Sequence, residues 1–448
     1  MPFTLTRNRI IIIFLVLALI AGVFIAVLLG KRIFVGKATV SLTVWGVFDD
    51  NKAMEKAIAL YKSENRNLSI QYVNKAYALD DAESYEKELL DALASGKGPD
   101  IFMFHNTWLP KHIEKIAPLN EELQTALNFP FVNYRDAFPK VIEQDFVRGT
   151  TIYASPLYLD TLALFYNKDF FDKRGVALLP ATWGEFESLV NKIKEVDAGT
   201  NNITKAGAAI GGSEKSINRA TDLLSLMMLQ RGVKFTDSSF GRATFASIGG
   251  ESGSRPGLEA LKFYTQFANP NSPLYTWNER LHYSIDSFAS GDTAAIFNYA
   301  HQIPVIKSKN PFLNFGVSSM PQLAGAPNPV NYANYWGLAV SNQSKNIPWA
   351  WQFILSATTK EKIAGSYAEK AGKPPALRTL IDKSRNDPEL GVFVKQALTA
   401  SSWPQIDNVL VETAFSDMID AVVRGQLTPE VALNKAADEI SAVMRKKQ

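Results

Sequence analysis

Residues 95–110 read SGKGPDIFMFHNTWLP. Four apolar-leaning residues, Ile101 to Phe104, run directly into His105, Asn106, Thr107 and Trp108. An imidazole, an amide and a hydroxyl supply donors and acceptors, and an indole adds a broad apolar face with a single N–H. A second cluster of this kind stands at Trp45 and Gly46, with the carboxylates Asp49 and Asp50 just behind. Groups of these types hold a small molecule that offers both a flat apolar face and polar edges. A Trp at a strand end also serves to plug the edge of a core, and residue type alone leaves both roles open for Trp45 and for Trp108.

The elements that must position these groups are legible. TVSLTVW (39–45) alternates as a strand, and NKAMEKAIALYKSEN places Met54, Ala57, Ile58 and Tyr61 on one helical stripe. LSIQYV (68–73) reads as a second strand. In SYEKELLDALASG, Tyr85, Leu89, Ala92 and Leu93 share a helical face that Gly96 terminates. IFMF is then a third strand, apolar at successive positions, as in a sheet covered on both faces. Strand, helix, strand, helix, strand predicts an α/β fold with a mostly parallel sheet. Ligands of such sheets bind beyond the carboxyl ends of the strands, where His105–Trp108 and Trp45–Asp49 both fall.

The pattern restarts downstream. Thr182 with Glu185 is a capping-box spacing before a helix bearing Phe186, Leu189, Val190 and Ile193. KAGAAIGG (205–212) reads as a short strand entering a Gly turn, and a helix to Gln230 stops at Gly232. SIDSFASGDTAAIFNY predicts a short helix, a Gly291 stop and a strand. Residues 347 onward are largely helical, and Trp183, Trp349 and Trp351 lie on helical faces as packing residues.

Composition excludes several classes. A formal charge of +3 over 448 residues gives no electrostatic basis for nucleic acid. The absence of cysteine removes disulfides, thiolate metal sites, a cysteine nucleophile and a lipidated anchor together. The histidines are dispersed, and His105 and His112 are not at a ligand-pair spacing on a helix, so no metal site and no cofactor is expected. AIGGSEKS (209–216) reads as a plain loop in preference to an anion cradle. No nucleophile elbow, Walker loop or zinc signature occurs. Ile10–Leu29, IIIIFLVLALIAGVFIAVLL, is an uncharged run of the length that spans a hydrocarbon core of ~30 Å. It is longer than a cleaved signal's apolar core, and LLGKRIF is a poor cleavage site. The reading is an uncleaved transmembrane anchor at 10–30, after a tail at 1–9 and before a linker at 31–37. Basic residues flank both ends, so the anchor does not orient itself.

Several phrases then align in order: VSLTVWGVFDD, YEKELLDALASGKGPDIFMFHNTWL, YASPLYLDTLALFYNKDFFDKRGV, PATWGEFESLVNKI, DSFASGDTAAIFNY, NYWGLAVS, AWQFILSATTKEKIAG and GKPPALRTLI. From about residue 38 the chain resembles the extracellular solute-binding proteins of ABC importers, specifically the sugar-binding group typified by maltose-binding protein. The resemblance implies a type II-like periplasmic-binding-protein fold with two α/β lobes and a solute cleft between them. Mapped here, lobe 1 is 38–157 with 293–342, and lobe 2 is 158–292 with 343–448. It also implies a soluble body on the extracytoplasmic side of the cell membrane, held by the single pass at 10–30, with ABC permease subunits as partners.

A sugar ring offers apolar C–H faces to aromatic side chains and hydroxyls to carboxylates, amides and guanidinium groups. The residues the resemblance nominates for ligand binding are Trp45, Asp49, Trp108, Tyr158, Asp160, Trp277, Asn298, Tyr299, Asn334, Trp336 and Arg378, with Tyr335 beside them. Asp160 matches a carboxylate that binds sugar hydroxyls in the maltose receptor, and Trp336 precedes GLAV, where relatives often carry a stacking aromatic. No catalytic residue is implied. Two further readings stay open: a tethered carbohydrate-processing enzyme, for which Asp49 and Asp160 would have to meet as a carboxylate pair, and a receptor of the same fold for a polyamine, phosphorylated sugar or metal.

Overall fold

The structure is a computed structural model and describes residues 40–48, 51–65, 68–75, 82–197, 199–200, 202–249 and 253–447. The tail, the apolar segment 10–30, the linker 31–37 and Asp49 lie outside the described residues. Among the described residues, no helix is long and apolar enough to cross a membrane.

The strands that position the site are β1 (Val40–Val47), β2 (Leu68–Lys75), β3 (Ile101–His105), β4 (Ser155–Pro156), β5 (Asp160–Thr161), β6 (Ala163–Asn167), β7 (Ala295–Asn298), β8 (Phe315–Ser318), β9 (Asn331–Asn334), β10 (Trp336–Val340) and β11 (Ala400–Ser401). The helices used below are α1 (Asn51–Glu64), α2 (Ala82–Ala94), α3 (Lys140–Phe146), α4 (Trp183–Ile193), α5 (Ala220–Gln230), α6 (Gln302–Lys309), α7 (Ile347–Thr359), α8 (Glu361–Ala371), α9 (Arg378–Ser384), α10 (Gly391–Ala397), α11 (Asn408–Val423) and α12 (Pro429–Lys447).

Local chemistry accounts for the boundaries. α1 buries Ala53, Met54, Ala57, Ile58 and Tyr61, the expected stripe. α2 ends where Gly96 takes φ +67°, and Lys97 N–H returns to the Ala92 carbonyl. α4 carries a complete capping box between Thr182 and Glu185. The segment 205–212 departs from expectation. Only Ile203–Lys205 is a strand, and Ala206 then makes a single bridge to Thr293.

Two hydrophobic cores divide the chain. The first collects buried residues from 42–159, 333–340 and 350–397, and the second from 162–332 and 393–444. The chain passes from one to the other between Leu159 and Leu162. This corrects the expected division on two counts. Residues 293–332 belong to the second lobe, because β7 and β8 pair antiparallel on either side of β6. Apart from Phe393, which packs on Phe165 in the second core, residues 350–397 return to the first lobe. There Phe353 meets Tyr61 edge-on at 5.2 Å, and the Trp351 indole donates to the Ala117 carbonyl at 2.9 Å. Trp349 also departs from expectation. It is 41% exposed, while Trp351, two residues on and across the helix, is 0% exposed.

The first lobe is built on a five-stranded sheet of order β2-β1-β3-β10-β4. Its β2, β1 and β3 are parallel, and β10 runs antiparallel to both β3 and β4. Between the lobes lies a three-stranded ribbon, β11-β9-β5, in which Asn334 pairs with Asp160. β9 and β10 flank Tyr335, so the chain leaves the ribbon and enters the first sheet within one residue.

Candidate ligand-binding site

The carboxyl end of β3 and the start of β10 lie side by side, with Trp336 registered against His105. Trp336 is the hub of a ring cluster. Its indole meets His105 and Trp108, each with ring centroids at 5.0 Å, Phe48 at 5.5 Å and Tyr85 at 5.9 Å, all edge-on. Edge-to-face contacts suit the opposite charge of ring faces and rims. Phe48 holds φ +60°, a costly conformation for a side chain of this size. Trp108 is 1% exposed, and its N–H donates to Asn408 Oδ1 of α11 at 3.2 Å, tying this wall to the second lobe. Lys111 reinforces the tie by pairing with both Glu86 at 2.7 Å and Asp407 at 2.9 Å.

A polar chain crosses from this wall to the other. His105 Nε2 lies 3.1 Å from Asn334 Oδ1, and Thr107 contacts His105 Nδ1. Burial is the main cause that lowers the His105 pKa to about 4, and the positive charge of Arg219 adds to it, so the ring is neutral near pH 7. Asn334 Nδ2 continues to Asp222 Oδ2 at 3.5 Å, and the Tyr299 hydroxyl donates to the same oxygen at 2.8 Å. Burial raises the Asp222 pKa, against the opposing charge of Arg219. Tyr299 stacks on His301 with centroids 5.8 Å apart, and the Arg219 guanidinium lies 5.8 Å from the Tyr299 ring. Asn298 Nδ2 donates to Asn218 Oδ1 at 3.0 Å.

Asp160 sits where the ribbon meets this second wall. Its Oδ1 accepts the amides of Thr161 at 2.9 Å and Ala300 at 3.1 Å. Its Oδ2 is buried without a hydrogen-bond partner among the described residues and lies 3.7 Å from His301 Nδ1. Two residues earlier in sequence, the Tyr158 ring carries Lys373 Nζ at 4.1 Å from its centroid, and that ammonium also lies 3.5 Å from the Phe48 carbonyl.

Of the residues nominated by sequence, Trp108 and Trp336 therefore stand in the first wall, Asp160 and Asn334 in the ribbon, and Asn298 and Tyr299 in the second wall. Tyr158 borders them through Lys373. Four others do not join. Trp277 is fully buried in the second core, with its N–H on Ser216 Oγ at 3.1 Å, because its indole packs against the Gly212–Ser216 turn. Arg378 Nε donates to the Phe138 carbonyl at 2.9 Å, which fastens the start of α9 to the body of the first lobe. Trp45 is half-buried on β1 with Lys75 Nζ 3.7 Å above its ring. Tyr335 turns away from Trp336 and donates to Asp145 Oδ2 at 2.8 Å.

Sequence reasoning missed Arg219, Asp222, His301 and Lys373. One signal was present: Asp222 interrupts ATDLLSLMML, and a buried carboxylate on an otherwise apolar helix marks a special environment. Among the described residues, no group of His, Cys, Asp and Glu is placed to hold a metal ion.

The chain's similarities agree with this architecture. The family model described as bacterial extracellular solute-binding protein matches residues 45–363. The galactooligosaccharide-binding protein of Bacillus subtilis is 22% identical over 423 residues, 91% of this chain and 90% of that protein. Among solved structures, an ABC transporter solute-binding protein from Thermotoga lettingae bound to α-D-tagatose superposes with a TM-score of 0.68 at 22% identity, covering 90% of this chain and 100% of the other. The sugar-binding protein of Xanthomonas citri gives 0.71 at 18% identity, covering 91% and 98%. The architecture is the two-lobed periplasmic-binding-protein fold, and the chain belongs to the bacterial extracellular solute-binding proteins.

Proposed function

We propose that this protein is a receptor that closes on a carbohydrate at the junction of its lobes and passes it to an ABC permease. The observation that carries the reading is the buried Oδ2 of Asp160, which accepts no hydrogen bond among the described residues and lies 3.7 Å from His301 Nδ1, on the ribbon that joins the ring wall to the polar wall. A buried carboxylate oxygen without a donor is costly, and a sugar hydroxyl supplies the donor while the ring's C–H face meets an indole. Trp336, Trp108, Tyr158, Asn298, Tyr299 and Asn334 complete the set of side chains that would hold the solute. The relatives named for galactooligosaccharide and for tagatose support the substrate class.

Closure is a population shift. A solute that touches Trp336 on one wall and Asp160 and Tyr299 near the other favours the shut form by the contacts it makes only there. No bond is made or broken, in line with a family of binding proteins. The apolar run 10–29 would tether the body to the outer face of the membrane and keep it close to the permease.

Isothermal titration against a panel of mono- and oligosaccharides is expected to find a binder. Asp160→Asn is expected to weaken it by about 1–3 kcal/mol. Binding of none of the panel, or of a polyamine or phosphorylated sugar in its place, would overturn the carbohydrate reading. Turnover of a chromogenic glycoside would favour an enzyme instead. Membrane fractionation of the full chain against a chain lacking 1–37 tests the tether.

A further inference from the structure

Arg219 stands immediately before α5 with φ 64° and ψ 29°, a left-handed backbone that arginine rarely adopts. Its own side chain does not cap the helix. Two of the free amides at that end turn back to Glu214 instead. Arg219 N–H donates to Glu214 Oε2 at 3.2 Å, and Thr221 N–H donates to Glu214 Oε1 at 2.9 Å. The carboxylate does the work of an N-cap from upstream in the chain and faces the positive end of the helix dipole. The first turn of α5 carries Asp222.

We propose that Glu214 is a positioning residue for the lobe junction. By taking the amides of Arg219 and Thr221 on its two oxygens, it holds the turn that presents the Arg219 guanidinium and the Asp222 carboxylate to Tyr299, Asn334 and the solute. This rests on the reading of the junction as the solute site. The arrangement needs both oxygens as acceptors. Protonation puts an O–H on one of them and leaves it a poorer acceptor, so one of the two amide bonds is weakened.

Burial pushes the Glu214 carboxyl up to about 7, so this change falls within the ordinary working range. The groups facing it are known. Arg219 on its own loop opposes the rise, Asp222 on α5 adds to it, and the buried Tyr264 hydroxyl lies close enough to feel it. The cavity beside it is also lined by Lys215, Arg219, Tyr283, Glu412 and Asp417, and Lys215 is held by Asp420. His105 changes charge near pH 4, well below this window.

The test is amide hydrogen exchange on the ligand-free protein across about pH 7, for wild type, Glu214→Gln and Glu214→Asp. In wild type, exchange protection of Arg219 and Thr221, corrected for intrinsic rate, is expected to fall about tenfold on the acid side. Glu214→Gln, which has one acceptor oxygen, should stay at the low value throughout. Glu214→Asp keeps the charge but lacks the reach, and should lose both bonds. Protection of Leu224–Met228 should be the same in all three, showing that α5 itself persists. A flat wild-type profile, or wild-type protection in Glu214→Gln, overturns the proposal, and the wild-type series decides alone if a variant fails to fold. In parallel, maltotriose is titrated as a probe. Affinity that falls about tenfold below pH 7 in wild type, but stays flat in Glu214→Gln, supports presentation of Arg219 and Asp222. Identical affinity and pH profile in both proteins overturns it. Absence of maltotriose binding at every pH counts against the solute reading, while the exchange data still judge Glu214.

Discussion

The two walls of the junction are made of different material. On the first lobe, Phe48, Tyr85, His105 and Trp108 pack around Trp336 as interlocking rings. On the second, Asp222, Asn298, Tyr299 and His301 are joined by hydrogen bonds and one stacked pair. The ring wall is also core: Trp336 is 5% exposed and part of the first hydrophobic cluster. The polar wall is buried too, with Tyr299 part of the second cluster, but its members are held by hydrogen bonds more than by ring packing. Changes in the first wall are therefore expected to couple solute binding to stability, and isosteric changes of the hydrogen-bonding groups in the second to separate them.

Trp336→Ala tests the coupling most severely. It removes the hub of the rings and should cost about 3–5 kcal/mol of stability by urea denaturation. It should also cost about 2 kcal/mol or more of solute binding by calorimetry. Loss of binding with unchanged stability would show the ring wall to be a surface decoration. The next effect is acid sensitivity. His105 has a folded pKa of about 4, below the usual 6.5, so the unfolded chain takes up its proton first as pH falls. Stability contributed by the neutral ring is complete above about pH 6.5 and is lost as pH drops toward about 4. The ceiling is about 3 kcal/mol. His105→Gln should flatten that limb of a thermal-melt series, and an unchanged limb would assign it elsewhere. Asp145, buried against Asn106, Tyr335 and Ser402, works in the opposite sense. Its pKa is raised to about 6, so its contribution falls as pH rises from about 4 to about 6, and the comparison is best made with Asp145→Asn in both backgrounds.

On the polar wall, Asp222→Asn keeps the shape and an acceptor for the Tyr299 hydroxyl. It should leave stability within about 1 kcal/mol while weakening solute binding by about 1–2 kcal/mol. Equal losses in both would erase the distinction between the walls. The smallest effect is expected from Arg378→Ala, which deletes a single bond to the Phe138 carbonyl and should cost about 1 kcal/mol of stability. A large loss of affinity instead would return Arg378 to the cleft.

Periodicity and punctuation made most elements legible. The α1 stripe, the Gly96 stop and the Thr182 capping box are local properties, and local chemistry decides them. Asp160, Asn334 and Trp336 were nominated through the resemblance, and the pairing of Asn334 with Asp160 and of Trp336 with His105 brings them to one junction. What sequence left open is which core a return segment joins. The apolar face of α7 suits either lobe, and only its contacts with Tyr61 and Ala117 assign it to the first. Direction was equally hidden. Trp277 and Trp336 are the same residue type near strand-like segments, but one indole points into a core and the other along its edge.

The ribbon between the lobes has one further consequence. Its three strands, β5, β9 and β11, cross together and are laddered to one another. A single connecting thread would let the halves spin and tumble independently. Three laced side by side resist torsion and leave bending as the soft mode, like a strap hinge on a lid. Opening and shutting would then retrace one arc, and a cargo would leave by the same mouth through which it came in.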